Sequence, residues 1–308
     1  MIADLTRPRR RAARKAERSA SRQACHSAAI QLTPPIKWHG GKGPLARRIA
    51  ALMPPHLNYV EPYAGALSVL LARDPEGVSE VVNDVDGRLM NLWRVLREPA
   101  SFDAFHRLAL FTPVAEPMWR EAALELDAAD PVRRAWAFFV HVRQSLAGRM
   151  KNFTPISTSR TRRGMNEQAS AWLTAIEGLP AVHDRLRRVL ILNRDALEVI
   201  RKFDGRDTLF YLDPPYVRDT RTAPDVYTHE MTHEQHRKLL ALIKRCRGKV
   251  MISGYRNELY DQQLSRWTRH EFDVANHAAG GDVKRRMTEV LWCNFATRAE
   301  VASAQETA

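Results

Sequence analysis

Residues 208–217 read TLFYLDPPYV. The run TLFYL promises a buried strand, yet it ends on Asp213, Pro214, Pro215 and Tyr216. A carboxylate at the end of a buried strand costs desolvation energy, and two prolines stop the strand and remove two backbone donors. In an open α/β sheet, ligands bind beyond the carboxyl ends of the strands, so this strand carries Asp213 into a ligand cleft. The stiffened turn then presents carbonyl and carboxylate acceptors beside the aromatic plane of Tyr216. An acceptor pair next to a stacking face suits an exocyclic amino group on a planar base. A proline-terminated strand would account for the prolines but for neither the acid nor the aromatic.

Working outward, the flanking segments alternate as such a sheet requires. Upstream, IKWHGGKG (36–43) is a glycine-rich turn and PLARRIAALM (44–53) is amphipathic. LNYV (57–60) predicts a strand that runs into EPYAGALSVLLAR (61–73), helical from Ala66 to Arg73. SEVVND (79–84) is a second strand ending in an acid, and GRLMNLWRVLRE (87–98) has helical period. Downstream, RVLILN (188–193) and KVMIS (249–253) predict strands around the helix HEQHRKLLALIKRC (233–246). RHEFDVA (269–275) and TEVLWCNF (288–295) flank a basic, glycine-containing loop and suit an antiparallel hairpin. Residues 101–187 offer helical patterns such as DPVRRAWAFFVHVRQSL (130–146) and little strand signal. The expected architecture is one α/β domain, built from 34–98 and 188–298, interrupted by a helical insertion over 99–187.

Composition narrows the partners. The chain has 308 residues, 44% of them hydrophobic, and seven tryptophans, enough for a sizeable core. No apolar stretch approaches the roughly 18 residues of a membrane span. The formal net charge is +13, which points to a polyanionic partner, nucleic acid before a membrane. Residues 1–30 carry eight basic residues against Asp4 and Glu17, a net +6, so +7 remains on the rest. Residues 1–33 read as a disordered basic tail, and 299–308 as a second disordered tail. Cys25, Cys246 and Cys293 lie far apart without a CxxC pair, which predicts neither zinc knuckle nor disulfide and suits a reducing, cytoplasmic setting.

Asp84 stands about 20 residues past the Glu61–Ala66 turn, the distance at which an acid meets ribose hydroxyls of a nucleotide-like cofactor. That turn lacks the full GxGxxG that a pyrophosphate needs. S-adenosylmethionine carries no phosphate, so one glycine with small neighbours lets it approach. Within KWHGGK (37–42), Gly40 and Gly41 allow a tight reversal while Trp38 and Lys42 supply an aromatic face and a cation for the cofactor's amino-acid end.

KWHGGK, EPYAG, NDVD and DPPY, in this order, resemble the Dam-type family of DNA adenine-N6 methyltransferases. The match runs over roughly Pro34–Arg97 and Arg188–Phe295. The resemblance implies a Rossmann-like class I methyltransferase sheet with a C-terminal antiparallel hairpin, an inserted helical target-recognition domain, S-adenosylmethionine as cofactor and no metal. It places Trp38, Gly40, Gly41 and Lys42 at the cofactor, with Glu61, Pro62 and Gly65 forming its loop. Asp84 takes the ribose hydroxyls, and Asp195 stands where the family contacts the cofactor's adenine. Ala196 departs from the Phe common after that acid, and Tyr63 from another. Asp213, Pro214, Pro215 and Tyr216 become the catalytic set. Asp213 also borders the cofactor, and Tyr216 stacks on a flipped adenine.

The insertion contains RMKNFTPISTSRTRRG (149–164), basic and free of acids. Arg143, Arg149, Lys151, Arg160, Arg162 and Arg163 there, with Lys284, Arg285 and Arg286 before the last strand, are the expected contacts to double-stranded DNA. His229–His233 spells HExxH, but Thr232 with Gln235 reads as a capping box, which sets the two histidines on opposite sides of a helix start, bordering the cleft. Two readings compete with adenine methylation: an N4-cytosine methyltransferase, and an inactive DNA-binding module on the same fold. A monomer suffices for one-strand transfer. A nucleoid-associated enzyme, alone, of phage origin or paired with a restriction endonuclease, fits the whole.

Overall fold

Val60, Val81, Phe210 and Val250 sit at matching heights on neighbouring parallel strands, pairing Val60 with both Val81 and Phe210, and Phe210 with Val250. All four are buried at 3% exposure or less, which removes apolar surface from water at about 25 cal/mol per Å². A computed structural model of the chain describes residues 32–154, 159–220, 229–275 and 286–296. Residues 1–31 of the first tail, all of the second tail, Cys25, Lys284 and Arg285 lie outside the described residues.

The strands are β1 (Asn58–Glu61), β2 (Ser79–Asn83), β3 (Thr161–Arg162), β4 (Met165–Asn166), β5 (Val189–Leu192), β6 (Thr208–Leu212), β7 (Lys249–Tyr255), β8 (Thr268–Ala275) and β9 (Arg286–Cys293). Seven form one sheet in the order β5-β2-β1-β6-β7-β9-β8. Each neighbouring pair in the run β5-β2-β1-β6-β7 is parallel, whereas β9 runs antiparallel to both β7 and β8. The expected strands and the C-terminal hairpin are therefore present. From β1 the chain moves outward to β2 and β5, then returns to β6 on the other side of β1. That reversal opens a crevice at the carboxyl ends of β1 and β6. Glu61 and Asp213 emerge there.

The helices are α1 (Ala46–Ala51), α2 (Ser68–Ala72), α3 (Gly87–Arg97), α4 (Pro99–Leu110), α5 (Glu116–Leu124), α6 (Pro131–Arg143), α7 (Glu167–Glu177), α8 (Leu179–Leu186), α9 (Ala196–Phe203), α10 (His233–Ile243) and α11 (Glu258–Gln263). Among the described residues none is long and apolar enough to cross a membrane. α6 buries Trp136, Phe138 and Phe139 and packs on α3, α4 and α5. Its indole finds a partner, as buried indoles must: Trp136 Nε1 donates to Thr112 Oγ1 at 2.8 Å.

One small element was not visible in the residues. β3 and β4 form a two-residue ribbon, Thr161 opposite Asn166, turned by Arg163 and Gly164 at φ +55° and +73°. Two positive φ values make this a mirror-image hairpin turn, which usually announces itself as Asn-Gly or Asp-Gly. Arg-Gly carries no such signal.

Candidate active site

Three carboxylates converge at the strand ends, and burial acts on each. Glu61 closes β1 and accepts a hydrogen bond from the Tyr59 hydroxyl at 2.5 Å. Burial pushes its carboxyl up to about 8, against the lowering effect of that bond. Asp84 follows β2. Burial raises its carboxyl as well, opposed by backbone N–H groups of Asp86 at 3.0 Å and Gly65 at 3.1 Å. Asp213 follows β6, where burial lifts it to about 6 while Lys42 opposes the rise and Glu289 adds to it.

Lys42 is the hub of this end. An ammonium has three protons, and three acceptors surround this one. Gly40 O and Asp213 Oδ2 are each 2.7 Å from Nζ, and Glu289 Oε1 is 3.2 Å away. Tyr216 completes the knot: its hydroxyl donates to Glu289 Oε1 at 2.5 Å, and Nζ of Lys42 lies 4.9 Å from its ring centre. The second carboxylate oxygen of Asp213, Oδ1, is buried and has no hydrogen-bond partner among the described residues.

Backbone geometry brings the surrounding loops together. Gly65 adopts φ +47°, and a Cβ there would stand 3.1 Å from the Trp38 indole. Only glycine lets the ring lie so near. Its carbonyl is held by Trp93 Nε1 at 3.1 Å. Asn83, fully buried, donates to Pro62 O and Arg194 O, both at 3.0 Å, and accepts from Arg194 N at 2.8 Å. One side chain thus laces together the loops after β1, β2 and β5. Asp195 caps α9 by accepting from Glu198 N at 3.1 Å.

A cavity of about 350 Å³ opens among these groups, within the usual span of small-molecule sites, roughly 300–1,000 Å³. Trp38, Gly40, Gly41, Lys42, Glu61 and Gly65 line it, as do Asp84, Asp195, Asp213 and Pro215. Pro62, Pro214 and Tyr216 do not. Tyr216 is 6% exposed, with its hydroxyl engaged behind Asp213. The ring expected to stack on a base is instead packed edge-on against Tyr255, 4.8 Å between centres. The tight turn after β6 directs Asp213 outward and Tyr216 inward.

The basic set divides. Arg149 lines the cavity. Arg143, the last residue of α6, is turned inward, donates to Ala171 O at 2.6 Å, and is lowered to about 10 by burial. That arrangement removes it from the open surface where a DNA contact was expected. Arg163 pairs with Glu177 at 3.0 Å and Arg286 with Asp273 at 2.5 Å, both exposed. Arg160 lies 4.0 Å from Glu167, and Lys151 and Arg162 are exposed.

Two site residues escaped the sequence reading. Asn83 stands first in NDVD, but only the acid after it was given a role. Glu289 left a signal of its own, an acid inside the apolar run of β9, held opposite Tyr255. The HExxH stretch behaves as its capping pattern predicts: Thr232 and Gln235 form a capping box on α10, with His229 before it and His233 after it. His233 Nε2 lies 3.0 Å from Asp219 Oδ2, while His229 and Met231 line the cavity. Among the described residues no group of three or more His, Cys, Asp or Glu is placed to hold a metal ion.

The family model of the D12 class N6 adenine-specific DNA methyltransferases matches residues 38–276, most of the chain and all three carboxylates. The chain belongs to this family. A D12 methyltransferase transfers a methyl group to DNA at adenine N6, and the seven-stranded sheet with its reversed last strand is the scaffold on which this member does so. The Type II methyltransferase M1.LlaDCHI of Lactococcus lactis subsp. cremoris is 23% identical over 288 residues, covering 86% of this chain and 96% of that one. The rRNA methyltransferase aviRa of Streptomyces viridochromogenes is 14% identical, covers 91% of this chain and 95% of its own, and superposes with a TM-score of 0.36. At that score the likeness bears on neither fold nor chemistry.

Proposed function

We propose that the cavity binds S-adenosylmethionine and that an adenine flipped out of double-stranded DNA presents its N6 amino group to Asp213. The observation that carries this reading is Asp213 itself. Lys42 holds Oδ2 at 2.7 Å, while Oδ1 is buried without a partner at the mouth of the sheet. A buried acceptor left empty costs roughly 1–3 kcal/mol, which a donor from the substrate recovers.

The cavity suits the cofactor. Asp84 keeps acceptor capacity for ribose hydroxyls beyond its two backbone bonds, and Val85 and Leu197 offer apolar walls to a base. Gly65 keeps the Trp38 indole close to the cleft floor. The bound cofactor would supply an electrophilic methyl group on sulfur.

The protein's part is positioning and fixed electrostatics. The N6 lone pair is delocalised into the adenine ring and is a poor nucleophile. Asp213 Oδ1 accepts one N–H and the Pro214 carbonyl accepts the other, which draws the nitrogen toward tetrahedral geometry and frees the lone pair. Lys42 holds Asp213 in its ionised form. Because N6 is unreachable inside a duplex, the base leaves the stack.

The catalytic domain spans 34–98 and 188–298, with 99–187 reading the target. The Type II name of M1.LlaDCHI supports a modification role beside a restriction endonuclease. The test is expression in a methylation-deficient host, followed by sequencing for N6-methyladenine. Wild type should mark a short motif, and Asp213→Ala should erase the mark while S-adenosylmethionine still binds. Unmarked adenine with the wild type would refute the assignment and favour an inactive DNA-binding module; marked cytosine N4 would favour the other rival.

A further inference from the structure

Arg149 reaches the cavity wall on a turn that the backbone holds under constraint. Ala147, Gly148 and Met150 adopt φ +53°, +72° and +54°, the left-handed region that residues other than glycine and asparagine seldom enter. A Cβ on Gly148 would overlap the Lys37 carbonyl oxygen. The turn is therefore clamped against the strap that carries Trp38, Gly40 and Lys42, and the clamp sets where the Arg149 side chain begins. Such strain at a cavity wall is a mark of function rather than of folding.

The Arg149 side chain is half-buried. Its Nε is buried with no acceptor, and no carboxylate among the described residues pairs with its guanidinium. The other positive charge of the cavity wall is already committed. Lys42, the other permanent cation of the wall, has Gly40 O, Asp213 and Glu289 on its three protons. The strap lysine expected to grip the cofactor's amino-acid end has no proton left for it. A half-buried guanidinium without a counter-charge is costly unless a ligand supplies an anion.

We infer that Arg149 binds the carboxylate at the amino-acid end of S-adenosylmethionine, an inference that rests on the cofactor reading above. The planar fork of a guanidinium matches a carboxylate bidentately, which a point-charge lysine cannot do. Arg149 is thus a cofactor-selecting residue of the cavity and not one of the outer DNA contacts. A phosphate of the target nucleotide is the rival source of the anion.

The experiment titrates full-length protein, without DNA, with S-adenosylmethionine and with decarboxylated S-adenosylmethionine, which lacks only the carboxylate. Wild type should bind the first about 10- to 100-fold more tightly, the range of a charge-assisted pair. Arg149→Met should lose that discrimination and bind the decarboxylated ligand as wild type does. Arg149→Lys should keep part of it. Equal weakening toward both ligands would overturn the inference, as would unchanged cofactor binding with weaker, less salt-dependent DNA binding, which would assign Arg149 to a phosphate. Should Arg149→Met not fold, the ratio in Arg149→Lys decides. A wild type that binds neither ligand sinks the cofactor reading and this inference together; one that binds both equally sinks the inference alone.

Discussion

In the proposed reaction the two oxygens of Asp213 have separate partners, Lys42 for Oδ2 and the substrate amino group for Oδ1, and the protonation of the carboxyl joins them. A protonated Asp213 offers its substrate a neutral acid and gives Lys42 no counter-charge. With the carboxyl lifted to about 6, kcat/KM should fall as pH drops through about 6, since the acid limb reports the free enzyme's essential base. Several other ionisable groups face it. Tyr211 and Tyr216 are raised and stay neutral there, and burial holds Glu61 up at about 8, so it too is neutral. Tyr255 is likewise raised. Glu289 remains as the negative neighbour that pushes Asp213 upward. Glu289→Gln keeps an acceptor for Lys42 and Tyr216 but removes that charge, so the acid limb should move to lower pH. A pH–rate profile of the variant that superposes on wild type would rule this coupling out. Asp213 and Lys42 were legible as residues because their neighbours, DPPY and KWHGGK, are compact in sequence. Glu289 is separated from Tyr216 by 73 positions, and only strand pairing brings it there.

At the scale of elements, the strands were readable because central parallel strands are buried on both faces and spell continuous apolar runs. β6 is buried at every position. What joins elements was less readable. Glu80 on β2 is fully buried and meets Arg185 of α8 twice, at 2.5 and 2.6 Å, as well as Arg73 just after α2. This triad ties the end of the helical stretch to the sheet. Removing the acid strands two buried cations, so Glu80→Ala should lower stability by about 3–5 kcal/mol, measurable by urea denaturation. A loss below about 1 kcal/mol would mean that water replaces the carboxylate. In sequence Glu80 is one acid among many, because its partners lie 7 and 105 positions away.

At the scale of the molecule, basic charge and the site meet through the segment after α6. Gly148, Arg149 and Met150 line the cavity while the ribbon at Thr161–Asn166 stands largely exposed. Arg162 is exposed on that ribbon, whereas Arg163 is bridged to Glu177. Replacing Arg162 by Ala should weaken DNA binding across sequences and reduce the slope of log K against log salt by about 1. The same change at Arg163 should do less, since its charge is partly neutralised; equal slopes for both variants would place the DNA elsewhere. By itself the sequence determined the strands, the acids at their ends, the glycine turns and the family, because each is written in local period or in a short contiguous motif. Only the tertiary structure decided which carboxylate oxygen is empty, that Lys42 is fully occupied, that Tyr216 faces inward and that Arg149 lines the cavity. Those are properties of side chains brought together from distant strands and helices, and hydrogen-bond saturation and burial exist only once they have met.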